Sequence, residues 1–278
     1  MSPRRSERLD EIRERCRESA LEHGVSPRDV DLLLSDLLER PLSYLIAHGE
    51  LKLDPRPLDI LLRRRFEGEP LQYIRGRTEF FSREFFVDGR VLIPRPETEI
   101  LVECALARAP AGASVVDIGT GSGCIAISME RNRPDLRVLG VDLSIEALAV
   151  ANSNRRNLGS RVLLAASNLL AAVNEHVDLI VSNPPYIAEG EIAGLADEVR
   201  LFEPRMALTP GGTGTEVMEQ ILDQAHPILA PEGLVIFEIG YGQQEEVRVI
   251  AEARRFAVVE IIPDLAGIDR VVVLSPHG

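Results

Sequence analysis

Residues 183–186 read Asn-Pro-Pro-Tyr, directly after the apolar run VDLIVS. Two successive prolines remove two backbone donors and fix φ near −65°, and the residue ahead of each is pushed to extended geometry. The result is a stiff, donor-free corner with an amide on one side and an aromatic ring on the other. One reading is a rigid loop that ends a strand. The chemical reading is a clamp for a planar NH₂ group. Such a nitrogen is a poor nucleophile, because its lone pair is delocalised. Attack on the methyl group of a sulfonium requires that lone pair to point at the methyl carbon. The Asn183 side-chain oxygen and the Pro184 carbonyl can each accept one N–H of the target, which orients it and favours the positive charge developing on it. Pro185 adds stiffness without a competing donor, and Tyr186 can stack on the flat group that carries the nitrogen. No general base is required, since the nitrogen becomes acidic once methylated.

A second constellation is VVDIGTGSGCIAI, with Gly119, Thr120, Gly121, Ser122 and Gly123 at a strand-to-helix turn. Glycines there allow positive φ and close approach of a ligand to the backbone. G-x-G-x-G alone is shared by NAD sites and plain tight turns. The next apolar run ends at Asp142, about 20 residues on, where an acid can accept hydrogen bonds from ribose hydroxyls. Together these features point to a nucleoside ligand. Open α/β sheets bind ligands at the carboxyl ends of their strands. If the fourth strand lies beside the first, Asn183 sits next to the glycine loop. A hydride-transfer enzyme has no evident use for an Asn-Pro-Pro corner there, whereas a methyltransferase acting on an amino or amide nitrogen does.

The elements that must carry these residues follow from the apolar pattern. Up to about residue 75 the periodicity predicts short helices. Leu9, Ile12, Cys16 and Ala20 share one helical face. Ser26-Pro27-Arg28-Asp29 reads as an N-cap, a first-turn proline and a capping acid, ahead of Val30, Leu33, Leu34, Leu37 and Leu38. Asp54-Pro55 opens a further helix, closed by Gly68 and Pro70. Residues 76–96 change period; Phe80, Phe81, Phe85, Phe86, Val87, Val91 and Leu92, with Asp88-Gly89 between them, suggest a β-hairpin connector. From about residue 97 to 278, seven apolar runs (114–118, 137–142, 161–166, 177–182, 233–239, 257–262 and 270–274) alternate with helical stretches. That alternation predicts an α/β fold with a mostly parallel seven-stranded sheet covered on both faces. Only PDLAGID joins the last two runs, too short for a crossover helix, so that pair is antiparallel.

The 278 residues carry a net charge of −13, unevenly placed. Residues 1–75 hold 14 basic and 15 acidic side chains, and the excess of acid lies beyond them. A duplex-DNA binder usually shows a basic face, so direct nucleic-acid binding is not expected. The start, MSPRRSERLDEIRERC, has no signal-peptide core, and no apolar run suits a membrane helix. Cys16, Cys104 and Cys124 form no C-x-x-C pair, and the five histidines are scattered, so no metal is expected. A cytoplasmic, monomeric protein is the expectation.

Over nearly its whole length the sequence resembles the HemK/PrmC family of peptide chain release factor N5-glutamine methyltransferases. The matching stretches are GEPLQYIRGRTEFFSREFFVDGRVLIPRPETE, VVDIGTGSGCIAI, GVDLS, VSNPPYI, FEPRMAL, FEIGYGQ and the terminal DLAGIDRVVVL. The resemblance implies a class I, Rossmann-like methyltransferase domain and a small N-terminal helical bundle that docks a class 1 release factor. It implies S-adenosylmethionine as cofactor and the glutamine of the factor's Gly-Gly-Gln loop as acceptor. Gly119 to Gly123 and Asp142 would hold the cofactor, and Asn183 to Tyr186 the glutamine. Arg95 and Glu97 lie in the segment leading into the site, and Phe202, Glu203 and Pro204 in a loop flanking the substrate channel; for all five a structural role stands beside a direct one. The chain departs from the family after the third strand. Many members have an acid and then an aromatic residue facing adenine, where this chain has Asn168-Leu169; as cofactor-binding residues, Asn168 would accept from the adenine amino group and Leu169 would cover the ring without stacking on it. Two other readings stay open: an N6-adenine nucleic-acid methyltransferase, and a non-catalytic cofactor-binding module that docks a partner.

Overall fold

A computed structural model describes residues 6–277 and divides into two compact units. One runs to Gly76 and takes in Asp197–Phe202; the other comprises Arg77–Ala196 and the chain from Glu203 onward. The first unit packs α1 (Leu9–Glu22), α2 (Pro27–Leu38), α3 (Leu42–Ala47), α4 (Arg56–Phe66) and α5 (Leu71–Arg75), with a short antiparallel pair β1 (Glu7–Arg8) and β2 (Lys52–Leu53). Leu9, Ile12, Cys16 and Ala20 do form the buried face of α1, against Val30, Leu33 and Leu34 of α2. Ser26 caps α2 by accepting from the Arg28 N–H, with Pro27 in the first turn. Leu37 instead faces solvent. Asp29 is a buried ion-pair partner of Arg65 at 2.8 Å, and Arg65 also holds Glu198 of the segment Asp197–Phe202 (α9 in chain order) at 2.8 Å.

The second unit opens with a hairpin of β3 (Arg77–Phe80) and β4 (Arg83–Phe86). Its turn falls at Phe81-Ser82, both at positive φ, and not at Asp88-Gly89. Burial decides the register: Phe80 and Phe85 lie on one face and are both buried, edge to face at 6.1 Å. The Asp88 carboxylate meanwhile accepts from the Arg90 N–H and guanidinium in a local turn.

The main sheet contains β5 (Ser114–Ile118), β6 (Arg137–Asp142), β7 (Leu163–Ala166), β8 (Val177–Ser182), β9 (Leu229–Glu238), β10 (Phe256–Pro263) and β11 (Asp269–Pro276). Their order is β10-β11-β9-β8-β5-β6-β7. The pairs from β9 through β8, β5 and β6 to β7 are parallel; β11 runs antiparallel to both neighbours. α6 (Thr98–Arg108) and α7 (Cys124–Asn132) bury one face, on Val115, Leu179, Val181 and Ile236. The intervening residues Val116, Ile180, Val235 and Phe237 pack on the opposite side with the helices Glu216–Ala225 and Gln244–Ala253. A sheet buried on both faces explains why its strands read as continuous apolar runs.

Candidate active site

The parallel register of β5 and β8 pairs Ile118 with Ser182, so the two strands end side by side. The glycine loop leaves one end and Asn183-Pro184-Pro185 leaves the other. At Gly119 (φ +70°) a side chain would project into open space, which leaves the backbone accessible to a ligand. Gly123 (φ +81°) serves packing instead. A Cβ there would meet Ile127 at 2.9 Å and Ala151 at 3.3 Å, so its absence lets the loop and α8 (Ile145–Asn157) close up. The Thr120 side chain turns inward, donating to Asp117 Oδ2 at 2.6 Å, and so presents only its backbone to the cleft.

Above the loop lies a cleft lined by Gly119–Ser122, Asp142, Asn183, Pro185 and residues of the segment 90–95, among others. Asp142 closes one side. Its Oδ2 accepts from the Gly121 N–H at 2.9 Å and its Oδ1 from the Ser144 N–H at 2.8 Å, which fixes the carboxylate at the cleft wall with lone pairs to spare for ligand hydroxyls. Burial pushes its pKa up, against the pull of those backbone donors. An open glycine backbone and an anchored acid at the end of β6 fit an adenosyl cofactor.

The clamp residues divide. Asn183 and Pro185 line the cleft; Pro184 is buried behind them, and the Tyr186 ring packs on the core rather than lining the cleft. The Asn183 amide donates from Nδ2 to Thr98 Oγ1 at 3.1 Å, and Thr98 donates onward to Glu238 Oε2 at 2.6 Å. Tyr186 Oη donates to the other Glu238 oxygen at 3.4 Å. Gln243 Nε2 donates to the Tyr186 carbonyl at 2.9 Å, bracing the corner's backbone. Glu238 is almost wholly buried, and desolvation raises its pKa to about 7 despite hydrogen bonds from Thr98 and Tyr186.

Arg95 lines the cleft and donates to Glu203 Oε1 at 2.6 Å. Pro204, Met206 and Ala207 complete that wall, whereas Glu97 stands ahead of α6 without lining it, and Phe202 belongs to the helical unit. Asn168 and Leu169 also lie outside the lining: Asn168 is exposed, and Leu169, at φ +52°, packs on the core. Three residues that the sequence reading does not single out are central here. Thr98 and Glu238 sit behind the clamp, and Asn154 of α8 bonds both backbone groups of Phe86 and the Ser122 carbonyl, tying hairpin to glycine loop. An asparagine inside a helix and an acid at a strand's carboxyl end are the local signals that could have drawn notice.

The family model described as Methyltransferase small domain matches residues 96–260, and that described as PrmC N-terminal domain matches residues 8–76. Release factor glutamine methyltransferases align along most of the chain. That of Koribacter versatilis (strain Ellin345) is 40% identical over 92% of this chain and 95% of its own. That of Cereibacter sphaeroides is 43% identical over 88% of this chain and 89% of its own. The chain belongs to the release factor glutamine methyltransferase family. Membership makes it a methyltransferase that uses S-adenosylmethionine. Among solved structures, a methyltransferase from Pyrococcus furiosus superposes with TM-score 0.55 at 19% identity, covering 81% of this chain and all (100%) of that one. The ribosomal protein L11 methylase of Lactobacillus delbrueckii subsp. bulgaricus gives 0.51 at 23% identity, covering 68% and 82%. Those two likenesses concern the fold. Among the described residues no helix is long and apolar enough to cross a membrane, and no cluster of three or more His, Cys, Asp or Glu side chains could hold a metal.

Proposed function

We propose that this family member methylates the side-chain amide nitrogen of the glutamine in the Gly-Gly-Gln loop of class 1 peptide chain release factors. The observation that carries the reading is the meeting of Asn183 and Pro185 with Gly119–Ser122 and Asp142 around one cleft. S-adenosylmethionine, when bound, supplies an electrophilic methyl group. Asp142 and the backbone of Gly119, Thr120, Gly121 and Ser122 hold the nucleoside, with Gly123 letting the loop close on α8. Asn183 Oδ1 and the Pro184 carbonyl accept the two N–H groups of the glutamine amide, so that its lone pair faces the methyl carbon. Transfer of the methyl group to that nitrogen would leave the C–S electron pair on the donor's sulfur. The nitrogen then loses a proton to water. The Tyr186 ring supports the corner, and its hydroxyl steadies Glu238.

The helical unit carries none of these groups, and its role in the proposal is to dock the factor. The acidic balance of the rest of the chain suits a protein acceptor better than a nucleic acid. The test is transfer of labelled methyl from S-adenosylmethionine to an intact class 1 release factor. Label should enter the wild-type factor and not one whose Gly-Gly-Gln glutamine is replaced by alanine. Equal labelling of both would refute the assignment.

A further inference from the structure

Asn183 can serve as an acceptor clamp only if its amide oxygen, and not its nearly isosteric NH₂, faces the acceptor. Flipping the amide would set NH₂ against NH₂. The pairing of Ser182 with Phe237 brings Glu238 alongside Asn183, and Thr98, the first residue of α6, closes from the other side. A carboxylate only accepts hydrogen bonds. Its 2.6 Å contact therefore makes the Thr98 hydroxyl a donor to Glu238, and the hydroxyl oxygen can then accept only from Asn183 Nδ2. Oδ1 is left pointing away from Thr98. We propose that Glu238, acting through the Thr98 hydroxyl, is a positioning residue that holds the Asn183 amide in its accepting orientation. This rests on the reading of Asn183 as the acceptor clamp.

The same chain polarises in one direction. Negative charge on Glu238 draws the Thr98 proton, enriches its oxygen, pulls on the Asn183 N–H and increases the electron density on Oδ1. A protonated Glu238 can instead donate to Thr98, which frees the hydroxyl to donate to Asn183 Oδ1 and reverses the amide. The groups that face Glu238 are Arg270 on β11, which favours the carboxylate, and Glu97 ahead of α6, which opposes it. Tyr186 donates to it, and the Cys124 thiol on α7, pushed up to about 12 by burial, stays neutral. With the Glu238 pKa raised to about 7, the orientation is held more firmly above neutrality than below it.

Full-length wild type, Thr98→Val, Thr98→Ser and Glu238→Gln are compared in methyl transfer to a release factor and in calorimetric titration with S-adenosylmethionine. Thr98→Val should lower kcat about 10- to 100-fold, less than the roughly 10²–10³ of deleting a transition-state hydrogen bond outright. Its KM for the factor and its cofactor affinity should stay within about threefold, and Thr98→Ser should recover most of kcat. Wild-type kcat should fall below about pH 7, and Glu238→Gln, isosteric and uncharged, should lose that limb. Full activity in Thr98→Val, a serine variant as damaged as the valine one, or an acid limb that survives in Glu238→Gln would overturn the proposal. A second readout needs no turnover. In ¹⁵N-asparagine-labelled protein, exchange of the Asn183 amide protons should be slow in wild type and Thr98→Ser and fast in Thr98→Val; equal exchange in all three would also overturn it. Failure of wild type to methylate the factor, with the exchange pattern intact, would fault the functional reading alone.

Discussion

Arg95 Nη2 donates a 2.6 Å hydrogen bond to Oε1 of Glu203, 108 residues further along the chain. The bond joins the segment that leads into α6 to the loop that follows the Asn-Pro-Pro-Tyr corner, and both border the cleft. The Glu203 side chain is 1% exposed and that of Arg95 32%. Removing the cation takes one charged partner away from a buried carboxylate. Arg95→Ala should therefore cost about 2 kcal/mol of stability, below the roughly 3–5 kcal/mol of breaking a fully buried pair, because water reaches the arginine. Urea unfolding of the two proteins checks this, and equal midpoints would show that the contact holds nothing.

Asn183→Ala should lower the methyl-transfer rate about 10²–10³-fold, the scale for losing one hydrogen-bonding group in a transition state. Cofactor affinity should change little, since the glycine loop and Asp142 are untouched. Single-turnover rates with calorimetry separate the two effects. A variant with near-normal turnover would remove Asn183 from the clamp.

Asp142 holds the Gly121 and Ser144 N–H groups with separate oxygens. Asp142→Asn keeps one acceptor and loses the charge, so one backbone donor is orphaned and ligand hydroxyls meet a weaker partner. S-adenosylmethionine affinity should drop about 10- to 100-fold, matching roughly 1.5–3 kcal/mol for hydrogen bonds to a charged group. Titration of the variant checks it; affinity within twofold of wild type would contradict the role.

Two buried carboxyls give the stability a pH dependence of unusual sign. Burial raises Asp117 and Glu238 to about 7, from ordinary values of 3.8 and 4.5. Asp117 gains further from the nearby charge of Asp142. With a raised folded-state pKa, the native protein binds more protons than the unfolded chain between about pH 4 and 7. Their contribution is therefore full below about pH 4 and is lost as pH rises through 7. The ion-paired carboxyls Asp31 and Asp88, which are lowered, act in the opposite direction at more acid pH. Urea midpoints of wild type and Asp117→Asn between pH 5 and 8 should show a shallower decline in the variant. Parallel curves would mean that Asp117 does not titrate in that range.

The alternation of strands and helices, the glycine loop and the proline corner are all legible in the sequence, because each is written in consecutive residues. The groups behind the clamp are not. Thr98 and Glu238 are separated by 140 positions and Asn183 lies 85 beyond Thr98, so only the β8–β9 register and the start of α6 bring them together. The hairpin turn departs from its local signal for a related reason. Asp-Gly is the stronger turn dipeptide, but burial of Phe80 and Phe85 sets the register and pushes Phe81 and Ser82 to positive φ. Membership of Asp197–Phe202 in the helical unit likewise has no local mark; it rests in part on the Arg65–Glu198 pair.

Leu169 is a case where geometry changes the expectation. From the motif alone, phenylalanine at this position should tighten cofactor binding by stacking on adenine. Leu169 instead sits at φ +52° and packs on the core. A left-handed backbone costs a non-glycine residue roughly 1–2 kcal/mol, which a bulkier side chain does not relieve. Leu169→Phe should leave S-adenosylmethionine affinity within about twofold while lowering stability by about 1–3 kcal/mol through overpacking. Tighter binding in calorimetry would put residue 169 at the adenine face after all.

At the centre of the proposed function, the corner at Asn183 delivers a glutamine side-chain amide nitrogen to the methyl donor. Tandem mass mapping of a class 1 release factor after a single turnover, with wild type and Asn183→Ala run side by side, tests it most directly. The expected result is one methyl group on the side-chain nitrogen of the Gly-Gly-Gln glutamine with wild type and almost none with the variant. Methylation elsewhere on the factor, or at the same nitrogen with equal yield from both proteins, would contradict it.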